Sequence, residues 1–122
     1  MGILNFLKVK EQISTMDEAR EILFDKEFLI VGEAYPCRKN KKYKRLDIIK
    51  KTKLHSPVHI EKYTYNREPA YMVVNTKRDL DLGVLSAGAA AWLSDYYNKG
   101  TVKVELTNRY KSSFHVRVTV YK

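Results

Sequence analysis

The chain has 122 residues, enough for one domain with a buried core and too few for two. Its formal net charge of +9 predicts attraction to polyanions, and its one cysteine, Cys37, excludes an internal disulfide framework and favours a reducing cytoplasm. No apolar run approaches the roughly 20 residues of a membrane span, so no membrane partner is expected.

Residues 1–25 read as an N-terminal tail and short helix. Ile3, Leu4, Phe6 and Leu7 make an apolar patch in the tail suited to docking. Thr15 stands three before Glu18, a capping-box spacing, and predicts a helix from Met16 to Phe24. Residues 26–122 read as a single domain. Lys26 to Tyr35 carries the unbroken run Phe28, Leu29, Ile30, Val31, as in a strand covered on both faces, and Gly32 marks a bend or close backbone approach. After Pro36 comes a loop, RKNKKYK, followed by Arg45 to Thr52, where Leu46, Ile48 and Ile49 suggest the returning strand of a hairpin with a charged tip.

Val58 to Tyr65 is the next predicted strand, with Val58 and Ile60 on one face and His59, Glu61, Tyr63 and Tyr65 on the other. A turn at Asn66 to Pro69 leads into Ala70 to Asn75, and a second turn leads into a short strand from Leu80 to Leu85. Ser86 caps a predicted helix from Ala87 to Lys99, closed by Gly100. Its core-facing stripe is Leu85, Ala89, Trp92, Leu93 and Tyr96. Strict alternation then gives two strands, one around Val102, Val104 and Leu106, the other around Phe114, Val116, Val118 and Val120. About seven strands and two helices result: a mainly β (α+β) fold of antiparallel hairpins, for which a small, partly closed β-barrel is the expected architecture.

The charge is localised. Arg38, Lys39, Lys41, Lys42, Lys44, Arg45, Lys50, Lys51 and Lys53 face a single acid, Asp47, so this stretch holds +8 of the +9. Such a segment, with Tyr43 among its cations, would neutralise phosphates with salt-sensitive affinity, and Tyr35 or Tyr43 would stack on a base for about 1–3 kcal/mol. The alternative is a solvated tip whose lysines keep a sheet edge from pairing. Tyr63 and Tyr65 beside His59, with Tyr71 across the hairpin, would make either a stacking platform or an ordinary half-buried sheet face.

Catalytic and metal constellations are not evident. Pro57 separates His55 from His59 in extended context, unlike a helical zinc pair. Cys37 has cations nearby that would lower a thiol pKa, yet a lone cysteine in a loop is more often incidental. Asp79 and Asp81 fall where turns favour aspartate. No catalytic residue, metal or cofactor is therefore assigned.

The succession Leu29-Ile30-Val31-Gly32, Pro57-Val58-His59-Ile60-Glu61, Pro69-Ala70-Tyr71-Met72-Val73-Val74 and Leu82-Gly83-Val84-Leu85, followed by a helix with Ala90 and Leu93, resembles the HIRAN domain. The likeness spans roughly residues 27–110. It implies a modified OB-like barrel that binds DNA, as found in repair and remodelling enzymes or free-standing in bacteria and phages, with DNA favoured over RNA. Tyr35 falls where one branch of that family places a base-stacking aromatic. The family's Asn-Pro-x-Asp-x-Asn-Ala run is replaced here by Tyr65-Asn66-Arg67-Glu68-Pro69-Ala70, and the acid that helps hold a 3′ end in that branch has no evident counterpart. The expected function is a non-enzymatic nucleic-acid-binding module for single-stranded DNA or DNA ends, with Tyr35, Arg38, Lys39, Lys41, Lys42, Tyr43, Lys44 and Arg45 as contact residues. The alternative is a protein-interaction or scaffold module that docks a partner or a second copy through the N-terminal tail.

Overall fold

The computed structural model describes residues 20–122. The apolar tail and the start of the expected first helix lie outside these residues. Within them, six strands form two antiparallel three-stranded sheets. The first sheet is ordered β1-β6-β5, from Ile22–Leu29 (β1), Thr101–Tyr110 (β5) and Ser113–Tyr121 (β6). The second is ordered β2-β3-β4, from Val58–Tyr65 (β2), Glu68–Asn75 (β3) and Leu80–Val84 (β4). Two helices, α1 (Arg45–Lys50) and α2 (Ala87–Ser94), and a 3-10 turn at Tyr97–Lys99 complete the order.

The core sits where the alternation of β6 placed it: Phe114, Val116, Val118 and Val120 are fully buried in the central strand of the first sheet. Tyr71 and Val73 of β3 oppose them in the same cluster, joined by Leu82, Leu85, Ala89, Ala90 and Leu93. At one seam the sheets meet through a backbone bridge in which Val31 and Val84 exchange N–H···O=C bonds of 2.9 Å each. Gly83 permits that approach, because a Cβ there would lie 2.5 Å from the Val31 carbonyl oxygen. At the other seam β2 and β5 adjoin without a hydrogen-bonded ladder, so the strands do not close into a barrel.

The β2–β3 hairpin turns on only two residues, Asn66 and Arg67, both at positive φ (51° and 65°), the conformation of a two-residue turn that matches strand twist. The expected four-residue turn is thus shorter, and β3 begins at Glu68.

Two predicted elements change type. Ile22–Phe24, expected as the end of a helix, are strand, because Ile22 starts a ladder with Tyr121 that continues to Leu29 against His115. Long-range pairing overrides the local capping signal there. Arg45 to Thr52, expected as a strand, contains α1. Its buried residues are Arg45, Ile48 and Ile49, at steps of three and four, which is a helical stripe, and Thr52 just past the helix continues it. Its first member is an arginine, and a stripe that opens on a charge is hard to see in sequence.

The second helix ends at Ser94, earlier than expected, although Ser86 does cap it: the Ser86 Oγ accepts from the Ala89 N–H at 3.3 Å. Trp92, expected in the core, is 47% exposed. The small side chains Ala89 and Ala90, with Leu93, take the buried face, and the Trp92 ring is left lying edge-on to Phe24 at 5.7 Å with the Lys26 ammonium 4.9 Å from its centre. No helix among the described residues is long and apolar enough to cross a membrane.

Candidate nucleic-acid interface

Asp81 organises the region. It lies in β4, not in the turn, and is fully buried. A bulge opposite Val73 and Val74 places it: Val74 pairs with Asp81 and Val73 with Gly83, so Leu82 is the extra residue, and Asp81 and Leu82 are buried side by side. The Asp81 carboxylate accepts from the Arg38 N–H (2.9 Å), the Lys39 N–H (2.9 Å) and the Arg45 Nε (2.7 Å). Burial pushes its pKa up, but the two backbone donors and the guanidinium outweigh that, and the carboxyl stays below its ordinary range.

Three donors from the basic segment thus converge on one acid, and the loop they belong to is closed on itself. Cys37 N–H donates to the Tyr43 carbonyl at 2.8 Å, and Pro36 and Lys44 form an isolated bridge. Cys37 is fully buried and its thiol donates to the Asp81 carbonyl at 3.4 Å. Burial raises the thiol pKa, contrary to the lowering expected from nearby cations, and Asp81 adds to the rise.

The expected contact residues divide into two groups. Lys39 and Arg45 are engaged internally. The Lys39 ammonium lies 2.7 Å from both Glu61 and Asp79, which raises its pKa, Asp79 contributing most. Glu61 also meets the His59 Nε2 at 2.8 Å, and the Lys39 hydrogen bond holds the Glu61 carboxyl low. Arg45 is buried and donates from Nη1 to the Gly32 carbonyl at 2.9 Å. Gly32 itself has φ +79°, the conformation that favours glycine, and a Cβ on it would press on that Nη1 at 2.9 Å. The other group, Tyr35, Arg38, Lys41, Lys42, Tyr43 and Lys44, is exposed.

A groove of about 870 Å³ runs beside this loop. Its lining includes Tyr35, Arg38 and Lys41, with Tyr63 and Tyr65 from β2. Small and apolar side chains also line it: Ala87, Ala90 and Ala91 of α2, with Val31, Gly32, Val84 and Leu85. Tyr35 is 69% and Tyr65 60% exposed. The Arg38 guanidinium stacks on Tyr63 at 4.0 Å from the ring centre, which fixes a cation over an aromatic at the groove wall. Lys42, Tyr43 and Lys44 are outside the groove lining.

Tyr71 does not join this surface. It pairs with Lys62 across the hairpin but is fully buried, its ring centre 4.9 Å from that of Tyr97. Two groove features escaped the sequence reading: the Asp81 anchor, masked by its place beside a turn, and the alanine wall of α2, which carries no chemical signature. Comparison of the chain with protein-family models, with curated proteins and with solved structures found no match.

Proposed function

We propose that the protein is a HIRAN-type, OB-like nucleic-acid-binding module of the cytoplasm that takes single-stranded DNA, or the unpaired end of a DNA, into the groove beside Tyr35. The observation that carries this reading is the combination in one open groove of two exposed tyrosines, Tyr35 and Tyr65, with Arg38 held over Tyr63 and Lys41 in the same lining. Aromatic faces accept any base, and the cations meet the backbone between bases. Lys42 and Lys44, outside the groove, extend the field that draws a polyanion toward it. Lys39 and Arg45 serve by holding the loop, not by touching the ligand.

Fluorescence anisotropy with labelled single strands ending in a 3′-hydroxyl, a 3′-phosphate or a duplexed end, at low and near-physiological salt, tests the reading. Binding that persists at the higher salt and is lost in Tyr35→Ala supports it. Binding that is weak for all three, fades with salt and ignores Tyr35 reduces the surface to a general polyanion attractor. A second reading, a protein-interaction module, is favoured by Trp92, whose exposed ring lies beside the edge strand β1. A Trp92→Ser variant that alters sedimentation of the full chain would support that reading.

A further inference from the structure

We infer that the protein carries a second nucleic-acid face, built by α1 and the β5–β6 hairpin, that grips the backbone of a duplex adjoining the single strand in the groove. This rests on the single-strand reading above. The helix begins at the groove, since Arg45 is both its first residue and part of the lining, and it runs away from there. Its buried face is Arg45, Ile48 and Ile49, so Lys50, Lys51 and, just beyond, Lys53 are exposed.

The hairpin is fixed at the far end of the helix. Arg109 of β5 donates from Nη2 to the Thr52 carbonyl at 3.1 Å and lies 4.4 Å from the centre of the Phe114 ring. Thr52 is in turn buried, accepting from the Asn75 amide and donating to the Ile48 carbonyl. Lys111, at φ 52° in the tight hairpin turn, stands two residues beyond the Arg109 that joins the hairpin to the end of the helix. The hairpin also returns toward the groove: Ser112 Oγ lies 3.4 Å from Glu33, next to Gly32 of the lining. Two acids, Asp47 on the helix and Glu33 at the hairpin, temper the field, against Lys50, Lys51, Lys53 and Lys111.

The chemistry of this face differs from that of the groove. None of the four lysines lines the groove. Tyr110, next to Lys111 in the hairpin, is 43% exposed, and its ring is already engaged by the Lys111 ammonium at 5.4 Å and by the His115 ring at 5.2 Å. Cationic, and with its neighbouring tyrosine ring already engaged, the face suits phosphates better than unstacked bases. The helix is about 9 Å long. Each strand of a duplex carries a phosphate about every 3.4 Å of axis, so a strand lying along α1 brings about three phosphates within reach.

The test measures anisotropy of four labelled DNAs: a single strand, a blunt duplex, and duplexes carrying that strand as a 3′ or a 5′ tail. A tailed duplex of one polarity should bind about tenfold or more tighter than the tail alone. The quadruple variant K50Q/K51Q/K53Q/K111Q should lose that increment and lower the salt slope for the tailed duplex by about three to four, while single-strand affinity stays within about twofold. The variant K50Q/K51Q, less disruptive of the fold, should lose part of the increment, with circular dichroism unchanged. If the single strand binds but neither tailed duplex binds tighter, or if the quadruple variant keeps the whole increment, the second face is wrong and the groove reading stands. If no DNA binds, both fall.

Discussion

Within the basic segment, Arg38 and Arg45 stand seven residues apart and do opposite work. Arg45 is buried, its guanidinium spent between Asp81 and the Gly32 carbonyl; Arg38 gives only its backbone N–H to Asp81 and lays its side chain over Tyr63 at the groove. Lys39 and Lys41 repeat the contrast, one locked to Glu61 and Asp79, the other exposed on the groove wall. A cluster of like charges is therefore not one functional unit. Part of it is scaffold, neutralised by acids from elsewhere in the chain, and the rest is held in position by that scaffold.

The contrast breaks most visibly at Asp81. Asp81→Asn removes the counter-charge of a buried arginine and should cost about 3–5 kcal/mol in urea unfolding, with groove binding lost as the loop loosens. The same carboxylate sets an acid limit. Its folded pKa is below the unfolded value of about 3.9, so its contribution is complete above that pH and is lost as pH falls through the folded value. Urea midpoints followed below about pH 4 should fall more steeply in the wild type than in Asp81→Asn.

Next in size is Tyr35→Ala, which should weaken single-strand binding by about 1–3 kcal/mol in anisotropy titrations while leaving the urea midpoint unchanged. Smallest is the pair Lys39→Ser and Lys41→Ser. The first should lower stability by up to about 1 kcal/mol, since its ion pairs are partly exposed. The second should leave stability alone and reduce the salt slope of binding by about one. Equal effects of the two on stability would erase the distinction between scaffold and surface.

The alternating strands were legible because their core contacts follow a period of two: Phe114 to Val120 needed no knowledge of partners. The groove was legible only in part. Arg38 and Lys41 were picked out by charge and Tyr35 by the family resemblance, but the charge criterion also gathered in Lys39 and Arg45, whose partners Glu61, Asp79 and Asp81 lie 22 to 40 residues further along the chain. Nothing local distinguishes a paired lysine from a free one. Asp81 looked like a turn residue because aspartate is common in turns for backbone reasons; the bulge that turns it inward depends on a mismatch with β3 that only the folded register reveals. The expected strand at Arg45–Thr52 failed for a related reason, since its helical stripe begins with a charged side chain that is buried through its partner.

The placement of Cys37 supplies a clock for the loop. It is the chain's only cysteine, it has no exposed surface, and its thiol reaches a carbonyl of the very residue that anchors the loop. A thiol reagent can reach it only when the 36–44 loop lifts from Asp81, so the labelling rate in an unmodified protein reports the frequency of that opening. Because Cys37 also belongs to the groove lining, a ligand seated there would slow the same clock, and binding could be timed without any attached dye.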